Sequence, residues 1–483
     1  MFKLTPLTAA ILVMASAQAM AEDSVSNQFQ DGTANIADVK QIAAPLSSAN
    51  QQQQGLGNDA AAVQDTATST IDQQQSGQYN AGYAEQLYEN GSTIHQLQSG
   101  TYNNTHASQS IGVGSSEALQ QQEGNGSFSL IYQSSQDGAS AKTFQFGDNN
   151  EANVEQTEVG VDNKATVTQH GNENYGTAEQ VLHNGARMDI NQNGDGNYAY
   201  GDQRNGQGGN LTINQYGNGN GTEVWQETQV TSQATINQYG NTNETIVDQS
   251  FGDNNVASVL QVGNLNALYA DQYESANSTL ALYQQGNSNV HFTYQNGTDQ
   301  VLNVNTTGDG NKVYASNWKG PQTGGQFGTG QRATINQNGY DNVANFTQNG
   351  TGHIVTTNQT GTGNKTTISQ DNLYNELYFD QNGTDNILIS DQRGETNLAM
   401  GSTMGSGNST EFNQDGSSNR AYTQQLSGSS DNMITVKQAD TMNVAYVTQG
   451  GTGNIANIDQ SGMTQTATVQ QYGSTNQATV MQQ

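Results

Sequence analysis

The chain has 483 residues, of which only 32% are hydrophobic and 12% charged, with 55 Gly and no Cys. That composition excludes a string of ordinary globular domains with large apolar cores, and any disulfide framework or Cys-based metal site. A net charge of −30, from 13 Lys+Arg against 43 Asp+Glu, makes nucleic acid and anionic membrane poor partners.

The first element reads as a leader. Lys3, an apolar stretch from Leu7 to Ala17, and Ala19-Met20-Ala21 before Glu22-Asp23 have the layout of a secretory signal peptide at 1–21. No later apolar run is long enough to span a bilayer, so the mature chain is expected to be exported without a transmembrane segment. A short N-terminal segment at 22–31 follows.

A repeat then takes over. Its first clear arm is Gly32, Asn35, Ala37, Val39 and Gln41, and its last is Gly473, Asn476, Ala478, Val480 and Gln482. With Gly at zero, Asn stands at +3, small or apolar residues at +5 and +7, and Gln at +9. About 39 arms can be followed along the chain. Gly194, Gly217, Gly240, Gly263 and Gly286 recur at intervals of 23. The structural period is therefore two arms, giving about 19 or 20 rungs. The alternation blurs after Gly328, where most spacings are eleven. Residues 317–327, which include Pro321, lack the frame. They read as an irregular loop or defective rung between repeats at 32–316 and repeats at 328–483 of one continuous array. With only three Pro in the chain, the backbone donors are nearly complete, as an extended β-array requires.

Positions +3, +5, +7 and +9 differ by two, so in a strand they share a face. The alternate positions carry Lys164, Lys312, Lys365 and Arg420, which need water. The Asn-Ala-Val-Gln face is thus the interior, and the Gly supplies the φ > 0 of a sharp corner. The expected fold is all-β: a β-solenoid of about 19–20 two-strand rungs forming two facing parallel sheets in a cross-β arrangement. An unpaired amide in such an interior costs several kcal/mol, but identical amides stacked rung on rung satisfy one another as a ladder. A single rung cannot hold itself and leans on its neighbours. The last arm ends on consensus, so Gly473, Asn476, Ala478, Val480 and Gln482 are expected to form an open rung on which another subunit stacks head to tail.

Other chemistry is absent from the pattern. The six His (His95, His106, His170, His183, His291, His353) share no ligand spacing and are expected at surface or corner positions. No catalytic, cofactor-binding or metal-binding constellation is expected. Tyr216, Tyr239 and Tyr472 precede corner Gly residues and are read as corner packing ahead of a stacked aromatic edge for adhesion.

The spacing Ser-x5-Gln-x-Gly-x2-Asn-x5-Gln resembles the repeat of the curlins, the subunits of bacterial curli amyloid. The chain shows it as Ser47, Gln53, Gly55, Asn58, Gln64; as Ser69, Gln75, Gly77, Asn80, Gln86; and as Ser92, Gln98, Gly100, Asn103, Gln109. It recurs as Ser232, Gln238, Gly240, Asn243, Gln249 and as Ser278, Gln284, Gly286, Asn289, Gln295. The resemblance implies a secreted subunit of extracellular, cell-surface amyloid fibres in the biofilm matrix of a Gram-negative bacterium. Its implied partners are further copies of itself, a nucleator subunit, a periplasmic chaperone and an outer-membrane secretion pore. The acidic charge and the consensus last arm favour the major, fibre-forming type over the minor nucleator. The competing class is a monomeric β-solenoid adhesin or surface-binding protein, which should carry a binding domain outside the repeat.

Overall fold

In a computed structural model, described at residues 23–112, 114–316 and 324–483, the chain winds as a β-solenoid. The leader expected at 1–21 lies outside the described residues. Alternate strands build two sheets. The first has 20 strands, from Val25–Thr33 through Ser48–Leu56 to Thr466–Ser474. The second runs from Ile36–Ile42 through Asp59–Asp65 to Gln477–Gln482. Every ladder among the described residues is parallel, and most hold one register throughout; Arg187–Asn193, for example, lies on Asn210–Tyr216 residue for residue, whereas register shifts at Gln272/Ser275, Thr403/Gly405, Gln425/Ser430 and Thr68/Thr70 fall at strand ends. The array already begins at Val25, whose strand pairs along its whole length with Ser48–Leu56. The segment read from sequence as separate at 22–31 is therefore largely the first strand, and Ser24, Gln30, Gly32, Asn35 and Gln41 carry the full signature spacing across it.

Side chains alternate as the period of two requires. Asp59–Asp65 reads exposed Asp59, buried Ala60, Ala62 and Gln64, with half-buried residues between. The apolar core is one column in which Ala alternates with larger residues such as Ile94, Met188 and Leu211, and a second column of Ile, Val, Leu or Phe beside it, including Ile190, Ile213, Phe346, Phe379 and Phe412, all essentially inaccessible. Volume is traded between neighbouring rungs. Gly401 follows Phe379 in the same column, and a Cβ there would stand 2.7 Å from the Phe379 ring.

The frame break near Pro321 falls in the second sheet. Residues 317–323 lie outside the described residues. On either side, Lys312–Ala315 and Gly325–Thr329 both pair with Val290–Thr298 below and Val343–Thr351 above. The two pieces are halves of a single layer, so stacking continues across the break.

The corners are of two kinds, which explains the period of 23. After nearly every first-sheet strand the chain turns through a Gly with φ near +120°, as at Gly55, Gly77, Gly100, Gly240 and Gly286; at the end of Arg420–Ser430 the position is Ser429. The opposite corner is turned in the first rungs by non-Gly residues such as Thr66, Tyr88 and Ile111, with φ between 51° and 61°. That left-handed region is open to any side chain at modest cost, whereas φ near +120° is not. In later rungs the opposite corner also acquires Gly, at Gly297, Gly328, Gly350, Gly394 and Gly416. Both corners then look alike, and the spacing falls to eleven.

Candidate assembly surface: the amide ladders

All twenty residues at the Ser, Gln, Asn and Gln positions of the five signature rungs are buried, none above 5% exposure. They belong to axial ladders. In the second sheet a Gln stands in every rung from Gln41 to Gln482. Each Nε2 donates to the Oε1 of the next, as in Gln64 to Gln86 at 2.9 Å, Gln226 to Gln249 at 2.7 Å and Gln249 to Gln272 at 2.8 Å. The ladder crosses the frame break through Gln295 and Gln326 at 2.7 Å. The first-sheet ladder, through Gln53, Gln75, Gln98, Gln238 and Gln284, is interrupted where Thr306 and Thr403 replace Gln.

The Asn column at the Gly corner is pinned from both sides. Asn243 donates its backbone N–H and its Nδ2 to Asn220 Oδ1, both at 3.1 Å, and its Nδ2 also reaches Gly263 O at 2.8 Å. Asn58, Asn80, Asn103 and Asn289 hold the same post. At the opposite corner the small polar residue is Ser in early rungs: Ser47 Oγ donates to Ala67 O and accepts the Ser69 N–H. Later this column is Asn375, Asn397, Asn419 and Asn443.

These ladders have a direction. Each Gln donates toward the C-terminal rung, whereas each Asn Oδ1 accepts from the C-terminal rung. Any rung therefore shows Gln donors and Asn acceptors on one face, and Gln acceptors and Asn donors on the other. Two such faces complement each other only when stacked with the same polarity. In the last described rung Gln482 accepts from Gln460 at 2.7 Å and donates to Thr466 O, and Asn476 donates to Asn454 at 2.8 Å. Asn476 and Gln482 are more exposed than their counterparts in inner rungs, as are Gly473, Ala478 and Val480 beside them.

Two further ladders were not foreseen in the sequence. Gln28, Gln51, Gln73, Gln96 and Gln120 occupy the middle of the first-sheet interior, where the frame calls for an apolar residue. The runs Gln51–Gln54 and Gln73–Gln75 were the available signal, since alternate Gln in a strand must point inward. The second lies outside, on the residue after the corner Gly. Asn172, Asp195, Asn218, Asn241, Asn264 and Asn287 each offer a side-chain oxygen to the backbone N–H of the rung before.

The His expectation needs correction at His291, which is buried inside a strand. His183 and His353 stand at corners, as expected, but are buried there. His291 faces Thr306, one of the Gln replacements, and its Nε2 lies 2.7 Å from Thr306 Oγ1, so the ring fills the space the shorter side chain leaves. Burial pushes His291 down to about 3 and His183 to about 4. His353 stands in the corner column of Ser and Asn. Its Nδ1 accepts the Asn375 N–H at 3.2 Å and its Nε2 sits 3.1 Å from Asn349 O. A neutral imidazole with its proton on Nε2 thus reproduces the acceptor and donor of Asn. Burial lowers the His353 pKa below 6.5, so the folded chain resists a proton that the unfolded chain accepts. Its contribution is whole above about pH 6.5 and is lost as the pH falls. His353→Asn is expected to match the parent in thermal unfolding at pH 7.5 and to lose less stability than the parent at pH 5; equal losses would remove His353 from the account.

Around the ladders the outer faces carry the charge. On the second sheet Arg204 bridges Asp202 at 3.0 Å and Glu179 at 3.4 Å. Farther along, burial and the neighbouring Asp248 push Asp271 up to about 8. Tyr216 and Tyr239 stack with centroids 5.1 Å apart. Among the described residues no group of three or more His, Cys, Asp or Glu could hold a metal ion.

A polar β-solenoid of stacked two-strand rungs tied by amide ladders is a structural rather than an enzymatic architecture. Residues 187–227 match the family model described as the Curlin associated repeat. The matched stretch runs from Arg187–Asn193 into Gly221–Val230, close to two rungs in the middle of the array. No curated protein matches the chain. The repeat and the fold together fit a curli-like subunit or an adhesin.

Proposed function

We propose that the chain is a structural subunit of secreted, curli-like amyloid fibres in a biofilm matrix, adhering to surfaces and elongating by end-to-end stacking of solenoids. The observation that carries this reading is the directional self-complementarity of the rung: the face of one layer is the template for the next, so an exposed rung binds another copy by the bonds that already hold the fold. The curlin-type repeat supports export by a Gram-negative cell and the company of a nucleator subunit, a periplasmic chaperone and an outer-membrane pore. No described helix is long and apolar enough to cross a membrane.

Purified mature chain is expected to form thioflavin-positive fibrils after a lag, and to elongate from preformed seeds without one. Replacing Asn476 and Gln482 by Ala should slow seeded growth at least about tenfold, the equivalent of ~1.4 kcal/mol. Lys312→Ala, on the outer face, should leave growth within a factor of two or so of the parent. Equal effects of the two changes, or a stable monomer at high concentration over days, would rule the reading out.

A further inference from the structure

The two outer faces of the solenoid differ in charge, although the chain as a whole is strongly acidic. Outward side chains occupy the first, third and fifth positions of each seven-residue ladder, as Ser48, Asn50 and Gln52 do. On the first sheet the acids at these positions are Asp72, Glu117, Asp189, Glu376 and Asp380. They are matched in number by Lys142, Lys164, Arg187, Arg332 and Arg420. The seventh position also points outward and adds Asp31 and Glu123, so the face is close to balance, seven acids against five cations, in a chain of net charge −30. On the second sheet the fifth position carries Glu85, Glu155, Glu179, Asp202, Asp248, Asp391 and Asp459 against Lys40 and Lys437, while Asp271 in the same column is held largely neutral by burial.

The fifth column of the first sheet is the most uniform. It is uncharged in every rung except that of Asp380, and much of it is amide. Asn191, Asn214 and Asn237 form an outward ladder with bonds of 2.9 and 2.8 Å. Asn305, Asn336 and Asn358 form another, at 2.9 and 2.7 Å. Shallow grooves follow the column. One is lined by Gln52, Gln74 and Gln121 beside Phe29 and Leu97, with Asp31 and Glu123, another by Met400, Tyr422 and Tyr446 beside Ser402 and Gln424, with Asp380.

We infer that the outer face of the first sheet is a lateral interface that pairs two copies of the solenoid side by side, leaving the acidic second sheets facing water. A second copy is the occupant the page supports. Opposed faces close to neutral escape most of the repulsion that two acidic faces would meet. Outward amide ladders and small grooves are the components of a dry interface between paired sheets about 10 Å apart. The area also suffices. Twenty layers at ~4.8 Å make a strip of ~95 Å, and five residues of strand give it a width of ~13 Å. That is ~1,200 Å² per partner, above the ~800 Å² of a standard stable interface. The pairing is independent of end-to-end stacking and applies to single solenoids as well as to fibres.

The test places charge in the column. A triple variant Gln121→Asp, Asn214→Asp, Asn336→Asp puts carboxylates on the first-sheet face in three separated rungs. A control, Ala61→Asp, Thr367→Asp, Asn457→Asp, puts them on the second-sheet face. By electron microscopy the parent and the control are expected to show filaments in lateral pairs. The first-sheet variant should show single filaments with an unchanged strand spacing, and 1 M salt should restore pairing by screening the new charges. Pairing unaffected in the first-sheet variant, pairing lost equally in both variants, or a parent that thickens only when another polymer is added would overturn the inference. If no fibres form at all, the end-to-end reading falls, and the lateral one is read by sedimentation of the parent chain: a dimer lost in the first-sheet variant supports it, and a monomeric parent contradicts it.

Discussion

Gly240→Ala is expected to disrupt the rung it turns, at a cost above about 3 kcal/mol. The residue has φ +118°, a conformation that side chains rarely adopt. A Cβ there would stand 2.0 Å from the carbonyl oxygen of Gly263 in the next rung, in line with the backbone of the stack rather than with a movable side chain. Relief would require two rungs to separate, breaking the Asn243 and Gln249 bonds that lie just beyond the corner. Gly219→Ala is the control. Its φ of +63° lies in the ordinary left-handed region, and its nearest contact would be Thr242 Oγ1 at 3.8 Å. It should cost only about 1 kcal/mol. Hydrogen exchange should show rapid exchange around 233–266 in the first variant and parental protection in the second. Similar protection in both would mean that the Gly column is not obligatory.

The second large effect concerns the unbroken second-sheet ladder. Gln249 is fully buried, accepts from Gln226, and donates to Gln272 and to Gln233 O. Gln249→Glu keeps the shape but removes the donor. A carboxylate oxygen would then face the Gln272 oxygen across a gap now bridged by a hydrogen bond of 2.8 Å. A buried charge without a partner costs about 3–5 kcal/mol at pH 7. Protonation restores a donor, so the variant carboxyl has a raised folded pKa. The defect should be small near the unfolded value of about 4.3 and should grow as the pH rises through the folded value. Thermal unfolding between pH 4 and 8 reads this directly. A variant as stable as the parent at pH 8 would show that the ladder does not carry load.

Much of this was legible because the solenoid repeats one decision. Asn at +3 and Gln at +9 can be buried only if they stack, and stacking alone fixes the parallel register and the two sheets. What escaped the sequence escaped for identifiable reasons. The strand Val25–Thr33 was legible from the signature, since Ser24, Gln30, Gly32, Asn35 and Gln41 hold its spacing, but not from a frame that starts at a Gly. His353 looks unrelated to Asn by residue class but supplies the same acceptor to the next rung's N–H and the same donor to the carbonyl four residues back. His291 answers Thr306, a partner fifteen residues away on the facing sheet, and no local pattern joins them. The central Gln ladder of the first rungs breaks the apolar frame because an amide above and below is as acceptable there as an Ile. The weak Gly pattern at the early opposite corners reflects left-handed turns that Thr, Tyr and Ile tolerate.

The same logic separates what the array needs from what it tolerates. The Gly column and the inward amides are constrained by contact with the rung above and below. Outward residues answer to water, to whatever lies beside the solenoid and, in places, to outward neighbours in adjacent rungs, so their charge is freer to differ between the faces, as it does.

The most direct test of the central claim is a cryo-electron microscopy reconstruction of fibres assembled from the purified chain. The account predicts strands perpendicular to the fibre axis, subunits of one polarity, and an axial subunit repeat of about 95 Å, twenty layers at ~4.8 Å, with the Gln482 position of one copy stacked on the Gln41 position of the next. Subunits of alternating polarity, solenoids lying across the axis, or a chain rebuilt into a different strand register would contradict it.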